Sequence, residues 1–363
     1  MNVGIVSKWW NRGQGTVSRL VRTIFDEHGH DTFVLARPTA DKHHRPSFVD
    51  TSGVWNQPDV THASNNAIPA DEYLEWAKKH SIDVAFFDQN TQYEEIEALR
   101  RSGVVTVGRF VWERFKESEA PQAERAFDII FSMTACEQAR YASFGIETPR
   151  VHWGIHDELL SVEPERASDR IQFFFQGGFL GGRKPARGVV EAFRKVDAPH
   201  LRLILKTQGT REQSDAIDVS GDPRIELVTA DLPADDYYRL FVSCHVNLAP
   251  SRAEGLGVHF YEAIAFGMPI ITNDDPPMNE TVRDGYNGLL IESRHEGKMI
   301  SGIPRCEPDV EDMARAIREL SDFAVLGEMA RNTLELRERY SWETTAADYL
   351  ALLDEAARIG KGA

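Results

Sequence analysis

The feature that most constrains this chain is an alternation. Apolar runs of about four to eight residues, the length of a strand, take turns with longer amphipathic segments, and the pattern runs through twice. In the first half the runs "NVGIVS", "DTFVLAR", "IDVAFFD", "VVTVGRF" and "DIIFSM" read as strands. Between them, "GTVSRLVRTIFDEHG", "ADEYLEWAKKHS", "YEEIEALRRSG", "APQAERAF" and "ACEQARYASFG" read as helices. Residues 37–69, rich in Pro, His and Asn, read as a loop. The charged stretch "DELLSVEPERASDR" breaks the rhythm and reads as a linker. The rhythm restarts at "IQFFFQGG", with further strands at "LRLILKT", "RIELVTA", "HVNLAP" and "PIIT". Strands that are apolar throughout, separated by helices, call for a parallel sheet covered on both faces. The expectation is two Rossmann-like, doubly wound α/β domains, 1–160 and 168–340, facing a cleft at the carboxyl ends of their strands.

Bulk properties exclude several functions. The 363 residues carry a formal net charge of −16, and both halves are acidic, so a nucleic-acid footprint is absent. A strongly anionic lipid surface is a poor partner on charge, and peripheral membrane contact is left open. No apolar run approaches the roughly 20 residues of a membrane span, and the first residues lack a signal-peptide pattern. The three cysteines, Cys136, Cys244 and Cys306, are widely spaced. They read as unbridged thiols in a reducing compartment, the cytoplasm.

The chemistry concentrates in "AEGLGVHFYE", residues 253–262, at a strand–loop–helix junction of the second half. Gly255 and Gly257 allow unusual dihedrals and close backbone approach. The N–H groups that open the next helix attract anions, and Leu256 lies between the two glycines. Glu254 in the loop and Glu262 just over a turn into the helix offer carboxylate acceptors to hydroxyls. Phosphate-attracting N–H groups beside polyol-binding acids describe a phosphorylated sugar; two solvated acids beside a glycine turn would give the same letters.

The longer run "SRAEGLGVHFYEAIAFGMPIITNDDPPMNETVRDGYNGLLIE" resembles the signature of family-4 glycosyltransferases of the GT-B fold. The matching positions are Glu254, Glu262, Gly267, Pro269, Glu280, Gly285, Asn287 and Gly288. "RKPARGVVEAF" resembles the family's Lys-Gly and the helix that follows it, which places the diphosphate-binding lysine on Lys184. Pro185 stands where the family has Gly, and Arg183 takes the place of an arginine missing after Gly177-Gly178. A cation at a helix start opposes the helix dipole unless an anion is present. "RYSWETTAADYLALL" is similar to the family's terminal Trp-containing helix, so residues 342–359 are expected to pack on the first domain.

In the first half, Gly13-x-Gly15 opens a helix after the first strand. A dinucleotide fingerprint would need a third glycine at Ser18 and an acid ending the second strand, and neither is present. The resemblance implies that this loop faces the donor phosphates. The family histidine after the fourth strand is absent from "VVTVGRFVWERF", where Arg109 is the nearest polar residue and Trp112 and Glu113 follow. Trp9 and Trp10 read either as core or as a sugar-stacking platform. His43-His44 lacks the companion ligands of a metal site.

The resemblance implies a retaining glycosyltransferase, hexosyltransferase-like, that uses a nucleotide-diphosphate sugar without a metal or other cofactor. Glu254, Lys184, Arg183 and Arg109 are the candidate catalytic residues. Glu262, Gly257, Gly255, Leu256, Gly13 and Gly15 are candidates for the donor, and Trp9, Trp10, Trp112 and Glu113 for a saccharide or small-molecule acceptor. A sugar-nucleotide epimerase of the same fold and a non-catalytic nucleotide-sugar-binding module remain as alternatives. The oligomeric state is not readable.

Overall fold

The computed structural model describes residues 1–40, 47–178, 182–208 and 217–362. His43 and His44 lie outside the described residues. The chain divides into two compact units, Met1–His152 with Glu343–Ala363, and Trp153–Trp342.

The first unit holds β1 (Asn2–Lys8), β2 (Asp31–Arg37), β3 (Val60–His62), β4 (Val84–Asp88), β5 (Val105–Arg109) and β6 (Ile129–Phe131). They form a parallel sheet in the order β3-β2-β1-β4-β5-β6. Its core gathers Val6, Leu35, Phe87, Phe110, Phe127 and Tyr141 with the helix residues Trp76, Ile96 and Leu99. These strands read as apolar runs because helices cover both faces of the sheet. The final helix, Trp342–Gly362, brings Tyr349 against Phe25, Phe86 and Phe131, with ring centroids 5.7–6.5 Å apart. His152 Nδ1 meets Asp348 Oδ2 at 2.9 Å on the same helix.

The second unit holds β7 (Ile171–Gly178), β8 (Leu201–Thr207), β9 (Ile225–Val228), β10 (Val246–Leu248), β11 (Ile270–Asn273) and β12 (Gly288–Ile291), in the order β12-β11-β10-β7-β8-β9. The pairings are parallel again. Its core contains Phe173, Phe175, Phe193, Leu203, Val246, Ile271, Met313 and Ile317. β13 (Ser293–Lys298) and β14 (Pro304–Pro308) form a separate antiparallel hairpin.

Two local differences from the sequence reading have physical reasons. Residues 37–69 contain a sheet strand, β3, whose three residues are not fully buried and so leave no apolar run. The hairpin's first strand, "SRHEGK", is largely exposed and polar, with no periodicity to read.

In each sheet the chain winds outward on one side and then returns to the other. The strand order reverses between β1 and β4 in the first sheet and between β7 and β10 in the second. Ligands of open α/β sheets bind outside the carboxyl ends of the strands at such reversals. The residues at those ends are Lys8 of β1 and the loop that follows Leu248 of β10.

Candidate functional site

The loop after β10 leads into the helix Val258–Ala265, with Gly257 at its N-cap in the left-handed region at φ 68°. A Cβ on Gly257 would lie 2.5 Å from Phe260 Cδ2 and 3.3 Å from Glu254 Cγ. Backbone conformation and space therefore both demand glycine here. Asn273 Oδ1 accepts from Ser251 N at 3.0 Å, and Arg252 N donates to Arg183 O at 2.8 Å. The Arg252 guanidinium pairs with both Glu307 oxygens and also reaches Gly182 O and Lys184 O. The segment carrying Arg183 and Lys184 is thereby fixed against the loop carrying Glu254.

Glu254 is 8% exposed and surrounded by donors. Lys184 Nζ lies 2.6 Å from Oε2, Arg183 Nη1 3.6 Å from Oε1, and His259 Nε2 3.6 Å from Oε2. Gly255 N donates to Oε1 at 3.3 Å. Burial opposes ionisation, but Lys184, His259 and Arg183 together hold this carboxyl well below its ordinary range. His259 is itself kept neutral, chiefly by burial and despite the nearby carboxylate. Asn247 Nδ2 stands 3.3 Å from its Nδ1, which leaves the ring proton on Nε2, facing Glu254.

Glu262 has the opposite surroundings. Burial pushes its carboxyl up to about 7, and the Tyr237 hydroxyl only partly counters this. Gln176 Nε2 donates to that hydroxyl at 2.7 Å. Among the described residues Glu262 Oε2 has no hydrogen-bond partner. Two acids eight positions apart thus differ in kind: Glu254 is an anion held by cations, and Glu262 is a buried acceptor near its midpoint at neutral pH.

In the first unit the helix Gly13–Glu27 starts just after β1. A Cβ on Gly15 would fall 2.5 Å from Trp10 O and 3.1 Å from Lys8 O, so close packing accounts for this glycine; Gly13 faces open space. Trp9 is fully buried, donates Nε1 to Trp55 O at 3.0 Å and meets the Trp55 ring edge-on at 5.6 Å. Trp10 is 5% exposed, near Phe48, with the Arg12 guanidinium 4.7 Å from its ring centre. Neither ring presents an open face, so of the two readings of the pair, packing describes their position. Arg109 is buried between Asp88 Oδ1 at 3.4 Å and Glu137 Oε1 at 3.7 Å. Burial works against its charge, but Glu137 and Asp88 hold it protonated. Trp112 is half-buried against the core, and Glu113 is buried.

Sequence reasoning missed His259, Tyr237, Asn247 and the Arg252–Glu307 pair. His259 stood inside the quoted motif, and its signal was a titratable ring one position into a buried helix. Arg252 and Glu307 are 55 positions apart and carry no local signal. Asp275, His295 and Cys306 also gather unannounced, their potential ligand atoms within 4.8 Å of one another. Asp275 uses its oxygens to hold the hairpin through Ser293 Oγ and His295 Nε2.

None of the three cysteines forms a disulfide, and among the described residues no helix is long and apolar enough to cross a membrane. Residues 170–322 match the family model described as Glycosyl transferases group 1. An uncharacterised glycosyltransferase of Methanocaldococcus jannaschii is 26% identical over 197 residues, 53% of this chain and 49% of that protein. The chain spans about half the length, or less, of the first curated relatives it matches. Sucrose-phosphate synthase from Thermosynechococcus elongatus superposes with TM-score 0.74 at 15% identity, covering 100% of both chains. The Anabaena protein HepE, in complex with UDP and glucose, gives TM-score 0.71 at 13% identity, covering 98% of this chain and all of that one. The chain thus has the GT-B fold of two Rossmann-like domains, and its second unit matches the group 1 glycosyl transferases.

Proposed function

We propose that this protein is a retaining glycosyltransferase of the cytoplasm that draws on a nucleotide-diphosphate sugar. The observation that carries the reading is the cluster of Lys184, Arg183 and Glu254 beside the Gly257 helix start, with Glu262 on the next turn. The match over residues 170–322 supports it, as does the UDP held by the Anabaena protein of similar fold.

In this mechanism the second unit holds the donor. Glu262 Oε2 accepts from a ribose hydroxyl. Lys184, Arg183 and the N–H groups at the start of the helix Val258–Ala265 receive the diphosphate as negative charge develops on the leaving group. Glu254 keeps Lys184 extended and accepts from a sugar hydroxyl with whichever lone pairs its cations leave. The acceptor oxygen attacks the anomeric carbon from the face the diphosphate leaves, which returns the original configuration and requires no protein nucleophile. The leaving diphosphate takes up the acceptor proton. Protein cations supply the charge stabilisation, so the transfer step needs no metal.

The test is a panel of nucleotide-sugars, incubated with candidate saccharide and small-metabolite acceptors and read by mass spectrometry. A glycosylated acceptor with released nucleoside diphosphate supports the transferase. Release with an epimer or a glycal identifies an epimerase, and donor binding without turnover identifies a binding module.

A further inference from the structure

The hairpin of β13 and β14 stands apart from both six-stranded sheets. Its first strand is largely exposed and polar, and a two-stranded ribbon alone is marginal in water. Polar contacts tie it down. Cys306 N donates to Arg252 O at 2.9 Å, Asp309 N donates to Glu292 O at 2.8 Å, and Glu307 pairs with the Arg252 guanidinium. A second cluster lies beside these. His295 and Cys306 are opposite one another across the ribbon, so their side chains share a face. That face meets Asp275, in the loop after β11. Asp275 Oδ1 lies 2.7 Å from His295 Nε2, and Asp275 Oδ2 accepts from Ser293 Oγ. The oxygen, nitrogen and sulfur that Asp275, His295 and Cys306 offer all lie within 4.8 Å of one another. Asp275 and Cys306 are each 7% exposed, whereas the His295 side chain is 57% exposed. A hydrogen bond from His295 to Asp275 would suffice to hold the hairpin, and it gives no part to a buried cysteine that faces the same point.

We propose that Asp275 Oδ1, His295 Nε2 and Cys306 Sγ bind one divalent ion of the Zn²⁺ class, which clamps the hairpin onto the loop after β11. The donor set selects the ion. A thiolate and an imidazole beside one carboxylate suit Zn²⁺, whereas Mg²⁺, Ca²⁺ and Mn²⁺ favour oxygen ligands. Tetrahedral bonds of about 2.0–2.3 Å place such ligand atoms roughly 3.3–3.6 Å apart. The three groups therefore need shifts on the order of 1 Å to meet those bond lengths, and an exposed histidine side chain has room to make them. On binding, the thiol releases its proton and the imidazole proton moves from Nε2 to Nδ1. Ser293 keeps the carboxylate oriented from behind, as outer hydrogen bonds do at metal sites. Three protein ligands leave a fourth position for water on the exposed side of His295. The site lies within the second unit. It is independent of the transferase reading, and no step of the proposed transfer passes through its ion.

Calorimetric titration of ZnCl₂ into the full chain, stripped with EDTA, dialysed free of chelator and kept reduced, tests the site. Co²⁺ serves as a spectroscopic probe, and hydrogen exchange across residues 293–308 reads the clamp. The parent should bind Zn²⁺ in preference to Mg²⁺ and Ca²⁺, and Co²⁺ should give a thiolate-to-metal charge-transfer band. An outer partner of a metal site is worth about 10–100-fold in affinity. Ser293→Ala should lose about that much, and His295→Gln and Cys306→Ser at least about 100-fold each. Glutamine can still donate to Asp275, so His295→Gln separates coordination from the hydrogen bond that ties the hairpin. The His295 side chain is exposed, so this variant decides the matter if Cys306→Ser does not fold. Zn²⁺ should slow amide exchange in the hairpin of the parent and leave that of His295→Gln unchanged. Equal Zn²⁺ affinity in parent and His295→Gln overturns the proposal. So does a Co²⁺ complex without the thiolate band, or displacement of Zn²⁺ by equimolar Mg²⁺. Zn²⁺ bound at Cys306 with hairpin exchange unchanged in the parent overturns the clamp. None of these readouts passes through turnover, so failure here is distinct from failure of the transferase reading.

Discussion

Glu262 gives the most quantitative prediction. Its carboxyl titrates at about 7 in the folded protein against an ordinary value of 4.5. Between those values the folded protein holds a proton that the unfolded chain has released, so stability falls as pH rises through the window. The contribution is fully present below about pH 4.5 and gone above about pH 7. A gap of about 2.5 units at 1.36 kcal/mol per unit amounts to about 3 kcal/mol. Glu262→Gln keeps the shape and removes the ionisation. The Tm difference between variant and parent should therefore grow from acid to mildly alkaline pH. For a domain of this size about 3 kcal/mol corresponds to roughly 6–12 °C. Other titrating groups are shared by both proteins and cancel. Scanning calorimetry across the range checks it, and a difference that stays constant with pH refutes the assignment of the titration to Glu262.

In the proposed function the same residue couples to the ligand. A ribose hydroxyl that donates to the carboxylate favours the charged form. Nucleoside diphosphate binding should then release a proton below about pH 7, and affinity should fall by up to about tenfold per pH unit below it. Glu262→Gln should lose this dependence and retain only that of the phosphate. Titration in buffers of different ionisation enthalpy counts the proton. Identical proton release by parent and variant would remove Glu262 from the ribose.

Other outcomes follow from the same geometry. Lys184→Met should fold but lose about 10²–10³ in turnover, the scale of one removed transition-state charge contact; near-parental kcat in this variant and in the Arg183→Met, Lys184→Met double variant would end the diphosphate assignment. Glu254→Gln releases Lys184, so nucleoside diphosphate affinity should hold or rise while kcat falls; weakened diphosphate binding would refute the division of roles. Gly257→Ala should lose at least about 1–2 kcal/mol from its left-handed backbone alone, with Phe260 displaced as well, and an unchanged Tm contradicts the geometry. Turnover should survive EDTA, and abolition with rescue by Mg²⁺ or Mn²⁺ would show that the protein cations are not sufficient.

Most of the fold was legible because parallel strands buried on both faces must be apolar throughout, and that pattern survives without an alignment. β3 and the β13–β14 hairpin were not, because half-exposed strands obey no such rule. The site divides in the same way. Glu254, Glu262, Lys184 and Gly257 stand at fixed spacing along the chain and could be named from it. What surrounds each could not: Lys184 is 70 positions from the carboxylate it meets, and Gln176 is 61 from Tyr237. Trp9 and Trp10 show the limit from the other side, since an aromatic pair at a strand's carboxyl end looks alike whether its faces are open or covered.

The surroundings are what separate the two acids, and the separation follows from position. Glu254 lies in the loop, where Arg252 ties the Arg183–Lys184 segment alongside, so cations approach it from outside the helix. Glu262 lies inside a helix whose described residues are all apolar, aromatic or histidine apart from itself, with Tyr237 as its polar neighbour. In the proposed function a carboxylate that holds lysine in place has to remain charged, and Lys184, His259 and Arg183 favour that. A carboxylate that must accept an uncharged hydroxyl gains from being poorly solvated, because the incoming hydrogen bond then replaces no water. If Glu262 were as well paired as Glu254, ribose would have to displace a cation from it; if Glu254 were as bare as Glu262, Lys184 would have no fixed position from which to meet the diphosphate. Under the proposed roles, exchanging the two environments would disable both, and the opposite shifts would belong to one arrangement.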